Sequence, residues 1–547
     1  MLTKESYQLP IAQPLTEAYM KQSDDRIAAL YGYYSGSRQD WERRLLALEE
    51  RSALRADKSK LAEVLRAYNG RLGASNEVMA SIDRIAQGAP VVIGGQQAGL
   101  LTGPLLVIHK AVSIIQAAKS AAEQLGRDVV PVFWIAGEDH DWDEANHAYV
   151  VTAEQELRKL AVTRPEGPRA SVSATRIESE AWDGLLRELD EALPSSEFKP
   201  SVLEKLSELS SRSGSLSDLF AGLLGYLFGS EGLVLIDADD RSLRELESPM
   251  FRTLLLRNDE LEKAYAATAA HIQSFGYSLQ AEVTPGSANL FLFHPERGGE
   301  RTLLYKNETG FQDRRGHSMW SKEELLHIAE QQPELLSNNV LSRPIMQDYL
   351  FPVLGTVLGP GEIAYWALTG EAFRKLDMEM PILVPRMSYT LIEGTIAKNM
   401  TKYELELADV LERMEARKEA WLKQQDSLNV EQRFGAVKAA FQEMYQPLID
   451  LAASVQAGLA KLGETNMAKI MEQIDYLEAK TTDANHKQFD AALRQLDRIA
   501  TAIAPLGKPQ ERVLSMVIYW NRYGDAWLQK LLEAPYSRTG GHETVHL

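Results

Sequence analysis

Residues 90–147 read PVVIGGQQAGLLTGPLLVIHKAVSIIQAAKSAAEQLGRDVVPVFWIAGEDHDWDEANH, and their order decides the fold. Two apolar, β-branched runs, Val91–Ile93 and Val129–Ile135, bracket a long amphipathic stretch. This pattern predicts strand, helix, strand, with the helix running from about Pro104 to Gln124 and Gly126 as its stop. Pro104 suits a first helical turn, where its missing N–H has no helical partner to lose. The first run opens into a Gly-rich loop, the second into a cluster of Asp, Glu and His. In an open α/β sheet, ligands bind beyond the carboxyl ends of the strands, so both loops are expected at one rim.

The same texture recurs outward. Leu233–Ile236 is a third short strand ending in Asp237, Asp239 and Asp240, with a helix following through Leu261. Between about 271 and 320, alternating segments (Tyr277–Val283, Asn289–Phe293, Thr302–Tyr305) separated by Pro285-Gly286 and Gly298-Gly299 predict a small β insert. Phe351–Leu358 and Pro381–Val384 resume the sheet, with a helix to about Leu376 between them. Strand–helix–strand repeated around an insert argues for a parallel α/β sheet with crossover helices. Residues 14–88 read as helical. From Ile392 to about Leu532, apolar residues spaced by threes and fours (Ile396, Met400, Tyr403, Leu407; Val437, Phe441, Met444, Leu448) predict long helices packed as a coiled coil, an antiparallel hairpin through which two chains would dimerise. Pro447 is expected to kink or break the second helix, and Pro505-Leu506-Gly507 to end the third.

With 547 residues, the chain exceeds what one hydrophobic core serves. Its 59 basic and 77 acidic residues leave a net charge of -18, which argues against nonspecific nucleic-acid binding. No cysteine is present, which excludes disulfides and thiolate–zinc sites and fits a reducing cytoplasm. The N-terminal MLTKESYQLPIAQPL lacks signal-peptide form, and no apolar run is long enough to span a bilayer.

Gly94, Gly95, Gly99 and Gly103 would let backbone N–H groups approach a phosphate at the start of a helix, although the spacing is neither a Walker A loop nor GxGxxG. Tight strand–helix packing explains the same glycines. Gln96 and Gln97 could bind substrate amide or hydroxyl groups or satisfy a buried loop. His109 and Lys110, one turn into the helix, could neutralise phosphate charge. Glu138, Asp139, His140, Asp141, Asp143, Glu144 and His147 form the densest ionisable cluster, suited to holding a substrate ammonium, to general-base work, or to a metal. So many carboxylates cannot all face inward unpartnered. Asp237 could face the same rim. Gly359, Gly361 and Glu362 suit close approach to adenine or ribose, and Arg386 with Ser388 offers a phosphate grip. Lys306, Arg314 and Arg315 read as surface charge that could at most grip a substrate carboxylate.

Thr102–His109 (TGPLLVIH) resembles a degenerate "HIGH" region of class I aminoacyl-tRNA synthetases, and Pro385–Thr390 (PRMSYT) a degenerate "KMSKS" loop. Leu106, Ile108 and Tyr389 depart from those signatures, so an ordinary synthetase is not implied. A closer likeness spans essentially the whole chain. GGQQAGLLTGPL, VPVFWIAGEDHDWDEANH and the region around GPGEIAYWA are similar to the bacillithiol biosynthesis cysteine-adding enzyme family, a family of cysteine ligases.

That resemblance implies a Rossmann-like parallel-sheet core with connective-peptide inserts, a C-terminal coiled coil and a homodimer. It also implies ligation of cysteine to glucosamine–malate. The expected division is 1–89 helical, 90–150 and 339–391 as the two halves of the core, 151–230 a mixed insert, 231–262 a core strand and helix, 263–338 the β insert, 392–508 the arm, and 509–547 a tail returning to the core. On this reading ATP with Mg²⁺ activates the cysteine carboxylate as an adenylate or acyl-phosphate. Gly94, Gly95, Gly103 and His109 lie near its phosphates, Gly359–Glu362 near adenosine, and Lys110 and Arg386 neutralise charge. Asp141 or His140 orients the amine and takes its proton. A metal-dependent hydrolase on His140, Asp141 and His147, and a nucleotide-binding coiled-coil adaptor, are the alternatives.

Overall fold

The computed structural model describes residues 7–11, 13–314, 316–425, 429–487 and 489–547. Five parallel strands form the central sheet: β1 (Val91–Gln96), β2 (Val130–Ile135), β3 (Val234–Asp237), β4 (Val353–Leu358) and β5 (Ile382–Pro385), in the order β5-β4-β1-β2-β3. Being parallel, all five end at one rim, with Gln96 beside Ile135 and Ile135 beside Asp237. The order reverses between β1 and β4, and in such sheets that reversal opens a crevice for ligands.

β1 and β2 are almost wholly buried, as their β-branched and aromatic composition requires. The edge strand β3 is closed by a side chain rather than another strand. The Asn69 amide donates to the Leu235 carbonyl at 2.8 Å and accepts from the Leu235 N–H at 3.0 Å. This satisfies backbone groups that an edge would leave open.

The crossover helix α1 spans Leu106–Leu125 and stops at Gly126, whose φ of 65° lies in the left-handed region glycine tolerates. Pro104 stands outside it, in a bridge with Ser515. The helix start is also tied down, because the Leu105 N–H donates to the Leu514 carbonyl at 2.9 Å. A phosphate cradle at that helix start is therefore corrected to a packed junction. Gly94 and Gly95 are strand residues, not loop residues, and packing explains them. An added Cβ at Gly94 would lie 2.8 Å from Ile114, and at Gly95 2.5 Å from the Trp134 carbonyl oxygen.

Other expectations need revision. The helix expected through Leu261 breaks at Arg257 into Arg241–Leu256, here α2, and Asn258–Ser274. Tyr277–Val283 is not a strand; the β insert is built from Ser287–His294, Glu300–Lys306, Gly310–Gln312, Met319–Ser321 and Leu336–Asn338. The helix after β4 is interrupted, running Pro360–Trp366 (α3), then a 3-10 turn, then Gly370–Lys375. Met387–Ile392 and Gly541–His546, both missed in the sequence, pair as a parallel two-stranded ribbon.

The chain divides into two compact units, residues 1–392 with 509–547, and residues 393–508. Within the second, helices Val430–Val455 and Leu459–Lys487 lie antiparallel, tied by Lys438 to Asp475 at 2.5 Å and to Glu478. Helix 430–455 continues through Pro447, forgoing the hydrogen bond that proline cannot donate. Met444, Leu448, Leu451, Val455, Leu462 and Leu477 on this hairpin are exposed. Among the described residues, no helix is long and apolar enough to cross a membrane.

Candidate functional site

Lys110 projects from α1 to the crevice between β1 and β4. Its ammonium donates to the Gly95 carbonyl (2.7 Å), Gln96 Oε1 (2.9 Å) and Glu362 Oε2 (2.5 Å). Three acceptors use all three of its donors. Burial lowers the Lys110 pKa, and Glu362 opposes that shift. Burial would raise Glu362, but Lys110 outweighs it and holds the carboxyl below its ordinary range. The Gly359 N–H also donates to Glu362 Oε2 at 2.8 Å. Gly359 and Gly361 differ from Gly94 and Gly95 in having room: an added Cβ would meet nothing nearer than 3.4 Å and 3.9 Å, respectively.

Beyond β2 the acidic loop is organised by internal partners. Gln97 from the first loop donates to Asp139 Oδ2, so the two loops do meet at the rim. Asp139 Oδ1 accepts from the His140 N–H at 2.7 Å and the Asp141 N–H at 3.3 Å. Burial would raise Asp139, but Gln97, Arg301 and these N–H groups hold it below the usual carboxylate range. Asp141, which is exposed, caps the short helix Trp142–Ala145 through the Glu144 N–H. Asp143 is exposed too, and its carbonyl lies 3.1 Å from His147 Nδ1. His140 Nδ1 is buried without a hydrogen-bond partner, 3.6 Å from Asp139 Oδ1. Burial lowers the His140 pKa, which favours a neutral ring that can take a proton.

Glu138 is almost fully buried and accepts from Arg244 of α2, which also pairs with Glu247 at 2.8 Å. At the end of β3, Asp237 accepts from the Ser173 hydroxyl at 2.5 Å. Burial and the neighbouring Asp239 push Asp237 up to about 7. Among the described residues, no group of three or more His, Asp or Glu is arranged to hold a metal ion, so His140, Asp141 and His147 do not form a ligand set.

The sequence places His109, Arg386 and Ser388 at the phosphates, and the structure gathers them around a carboxylate. All three meet Glu511, from the C-terminal segment. His109 Nδ1 lies 2.7 Å from Glu511 Oε2. Arg386 grips both carboxylate oxygens, at 2.8 and 2.6 Å, and the Ser388 hydroxyl reaches Oε1 at 3.4 Å. His109, Arg386 and Glu511 are buried. Burial would raise Glu511, but Arg386 outweighs it and drives the carboxyl far below its ordinary range. Burial lowers His109, against the pull of Glu511. For Arg386 this is a closed ion pair rather than an open grip, which corrects its phosphate-contact reading, while His109 keeps Nε2 buried without a hydrogen-bond partner. Gly103 lies in the turn before α1, with φ 69°.

Sequence reasoning missed Glu511, Arg244, Arg301 and Arg343. Its choices in the insert fare differently. Lys306 is paired with Asp259 and Glu262, Arg314 is exposed, and Arg315 lies outside the described residues.

A doubly wound parallel sheet with a polar, charge-lined crevice at its strand reversal defines a Rossmann-like α/β protein, here joined to a helical hairpin unit. Comparison with known families narrows this. The N-terminal Rossmann-like domain of bacillithiol biosynthesis BshC matches residues 2–387, and its C-terminal coiled-coil domain matches residues 389–547. The chain belongs to the BshC family. The second match includes residues 509–547, which pack with the α/β unit here. Similar relatives include "Putative cysteine ligase BshC" of Geobacillus thermodenitrificans, 36% identical over 94% of this chain and 95% of the relative. The proteins of the same name from Geobacillus sp. (strain WCH70) and Bacillus cytotoxicus are 35% and 34% identical, covering 89% and 97% of this chain and 90% and 97% of their own lengths.

Proposed function

We propose that this chain is a cytoplasmic ligase that forms an amide bond between the cysteine carboxyl and the amine of glucosamine–malate, giving bacillithiol. The observation that carries this reading is the meeting of the two loops at one rim, Gln97 on Asp139, beside the Lys110–Glu362 pair. Family membership over both domains supports it.

Amide formation needs an activated carboxyl group and a neutral amine. ATP with Mg²⁺, when bound, supplies a leaving group for the cysteine carboxylate. The fit favours the Gly359–Glu362 wall, where glycine is not demanded by packing, over Gly94 and Gly95, where it is. Lys110 has no spare donor while Glu362 holds it, so Lys110 meets a phosphate only by exchanging Glu362 for it. Gln96 is held by Lys110 and faces the same crevice. On the acidic side, Asp139, fixed by Gln97, attracts the acceptor's ammonium form. His140 takes the proton that the attacking amine loses, because burial favours its neutral ring and Nδ1 has no hydrogen-bond partner. Asp141, the other base considered, is engaged as a helix cap. Glu511 holds His109 and Arg386 in place behind the crevice, a positioning role.

The exposed apolar residues of the helical hairpin support a homodimer through this unit, since patches of this kind are normally covered. Sedimentation should give a dimer at micromolar concentration; a monomer would refute the arm's role. For the reaction, purified protein with cysteine, glucosamine–malate and Mg-ATP should yield a product of bacillithiol mass. No product, with no binding of cysteine or ATP, would refute the ligase reading.

A further inference from the structure

Arg301, in the insert, and Arg343, just before β4, carry charges that no carboxylate neutralises directly. The Arg301 guanidinium donates to the Ser337 hydroxyl at 2.9 Å and the Asn338 carbonyl at 2.8 Å, and lies 4.0 Å over the Phe291 ring. Arg343 donates to the Tyr365 hydroxyl at 2.6 Å, and its Nε is buried without a partner. Among the described residues neither forms an ion pair, whereas the buried Arg44, Arg244 and Arg386 each do. Neutral acceptors orient a guanidinium without cancelling its charge, which leaves the fork available to an anion.

The two arginines belong to one place. Arg301 is bonded to the Asn338 carbonyl, and the Arg343 N–H to the Asn339 carbonyl at 3.0 Å. Glu138, at the end of β2, is within electrostatic reach of both. Between them stands Asn338, only 2% exposed, with neither the nitrogen nor the oxygen of its amide hydrogen-bonded. A buried amide left unpaired costs folding free energy, so it marks a place where a ligand or water completes the bonding.

We propose that Arg301, Asn338 and Arg343 form a subsite for a substrate bearing carboxylates next to an amine. Resting on the ligase reading above, that substrate is the acceptor, and the groups recognised are its malyl carboxylates. Two forks suit two carboxylates, and the Asn338 amide can donate to one of them and accept from a sugar hydroxyl. The acidic residues alongside, Glu138 and Asp139, suit the ammonium at the other end of the same molecule.

The test is calorimetric titration of the whole protein with glucosamine–malate and with methyl glucosaminide, which keeps the amine and lacks the carboxylates. Arg301→Gln, Arg343→Gln and Asn338→Asp should each weaken glucosamine–malate binding by about tenfold or more, the size expected for a lost charged hydrogen bond. Methyl glucosaminide affinity and the KM for cysteine should stay within about twofold, which also reports an intact fold. Arg343→Lys, which keeps charge and loses the fork, should recover only part of the loss. Unchanged glucosamine–malate binding in all three variants would overturn the subsite alone. Loss of cysteine or ATP binding in its place would overturn the assignment to the acceptor. No glucosamine–malate binding by the unmodified protein would overturn the ligase reading itself.

Discussion

Arg386 and Arg343 lie in the same α/β unit, yet their charges are met in opposite ways. Arg386 is buried in a two-pronged grip on Glu511, which also holds His109. Among the described residues the Arg343 guanidinium bonds only a tyrosine hydroxyl, and its Nε is left unpaired. The first arrangement carries its own counter-charge; the second does not. This contrast separates residues that hold the crevice from residues that await something in it. It also moves one sequence candidate, Arg386, from contact to support.

The largest expected effect breaks the complete side. Glu511→Ala leaves Arg386 buried and uncompensated, which should cost about 3–5 kcal/mol of stability, read as a lowered denaturation midpoint. Little loss would mean that Arg386 can reach solvent and that the network is loose. Next comes the acidic loop. His140→Ala should lower kcat by about a hundredfold with a smaller change in KM, the usual scale for losing a general base. The sign of the pH dependence follows from burial: the ring must be neutral to accept a proton, and burial lowers its pKa. The acid limb that depends on His140, read as the part of the pH profile absent from His140→Ala, should lie below about 6.5, the unperturbed value. A His140-dependent limb above that value would contradict the role.

A smaller effect sharpens the comparison at β3. Asp237 is pushed from 3.8 to about 7 by burial and Asp239, so the folded state binds its proton more tightly than the unfolded one. That contribution is present at low pH and is lost as pH rises from the carboxylate range through about 7. Asp237→Asn should therefore be more stable than the parent at pH 8 and little different at pH 4, by at most roughly 4 kcal/mol. Equal differences at both pH values would refute the shift. Smallest is Tyr365→Phe, which removes the hydroxyl orienting Arg343 and should cost about 1 kcal/mol of acceptor binding, seen as a raised KM.

The strand–helix–strand unit was legible because β-branched runs must be buried and an amphipathic stretch must cross between them. The meeting of the two loops followed from parallel strand ends. What stayed hidden depends on long-range partners. Glu511 stands in GKPQERV with no local pattern, 125 positions from Arg386. The only signal was indirect, since a buried Arg and His in one segment demand an acid from somewhere. Arg301 and Arg343 sit in ordinary contexts, and only the absence of a carboxylate partner singles them out. Gly94 and Gly95 look like phosphate-loop glycines, and only the Ile114 and Trp134 atoms against them reveal packing. The strand Gly541–His546 has no apolar alternation of note and is defined by its partner Met387–Ile392.

A crystal structure of the protein with glucosamine–malate tests the central contrast most directly. The account predicts malyl carboxylates within hydrogen-bond distance of Arg301 and Arg343, with the Glu511–Arg386 grip unchanged. A ligand carboxylate seated on Arg386 with Glu511 displaced would contradict it.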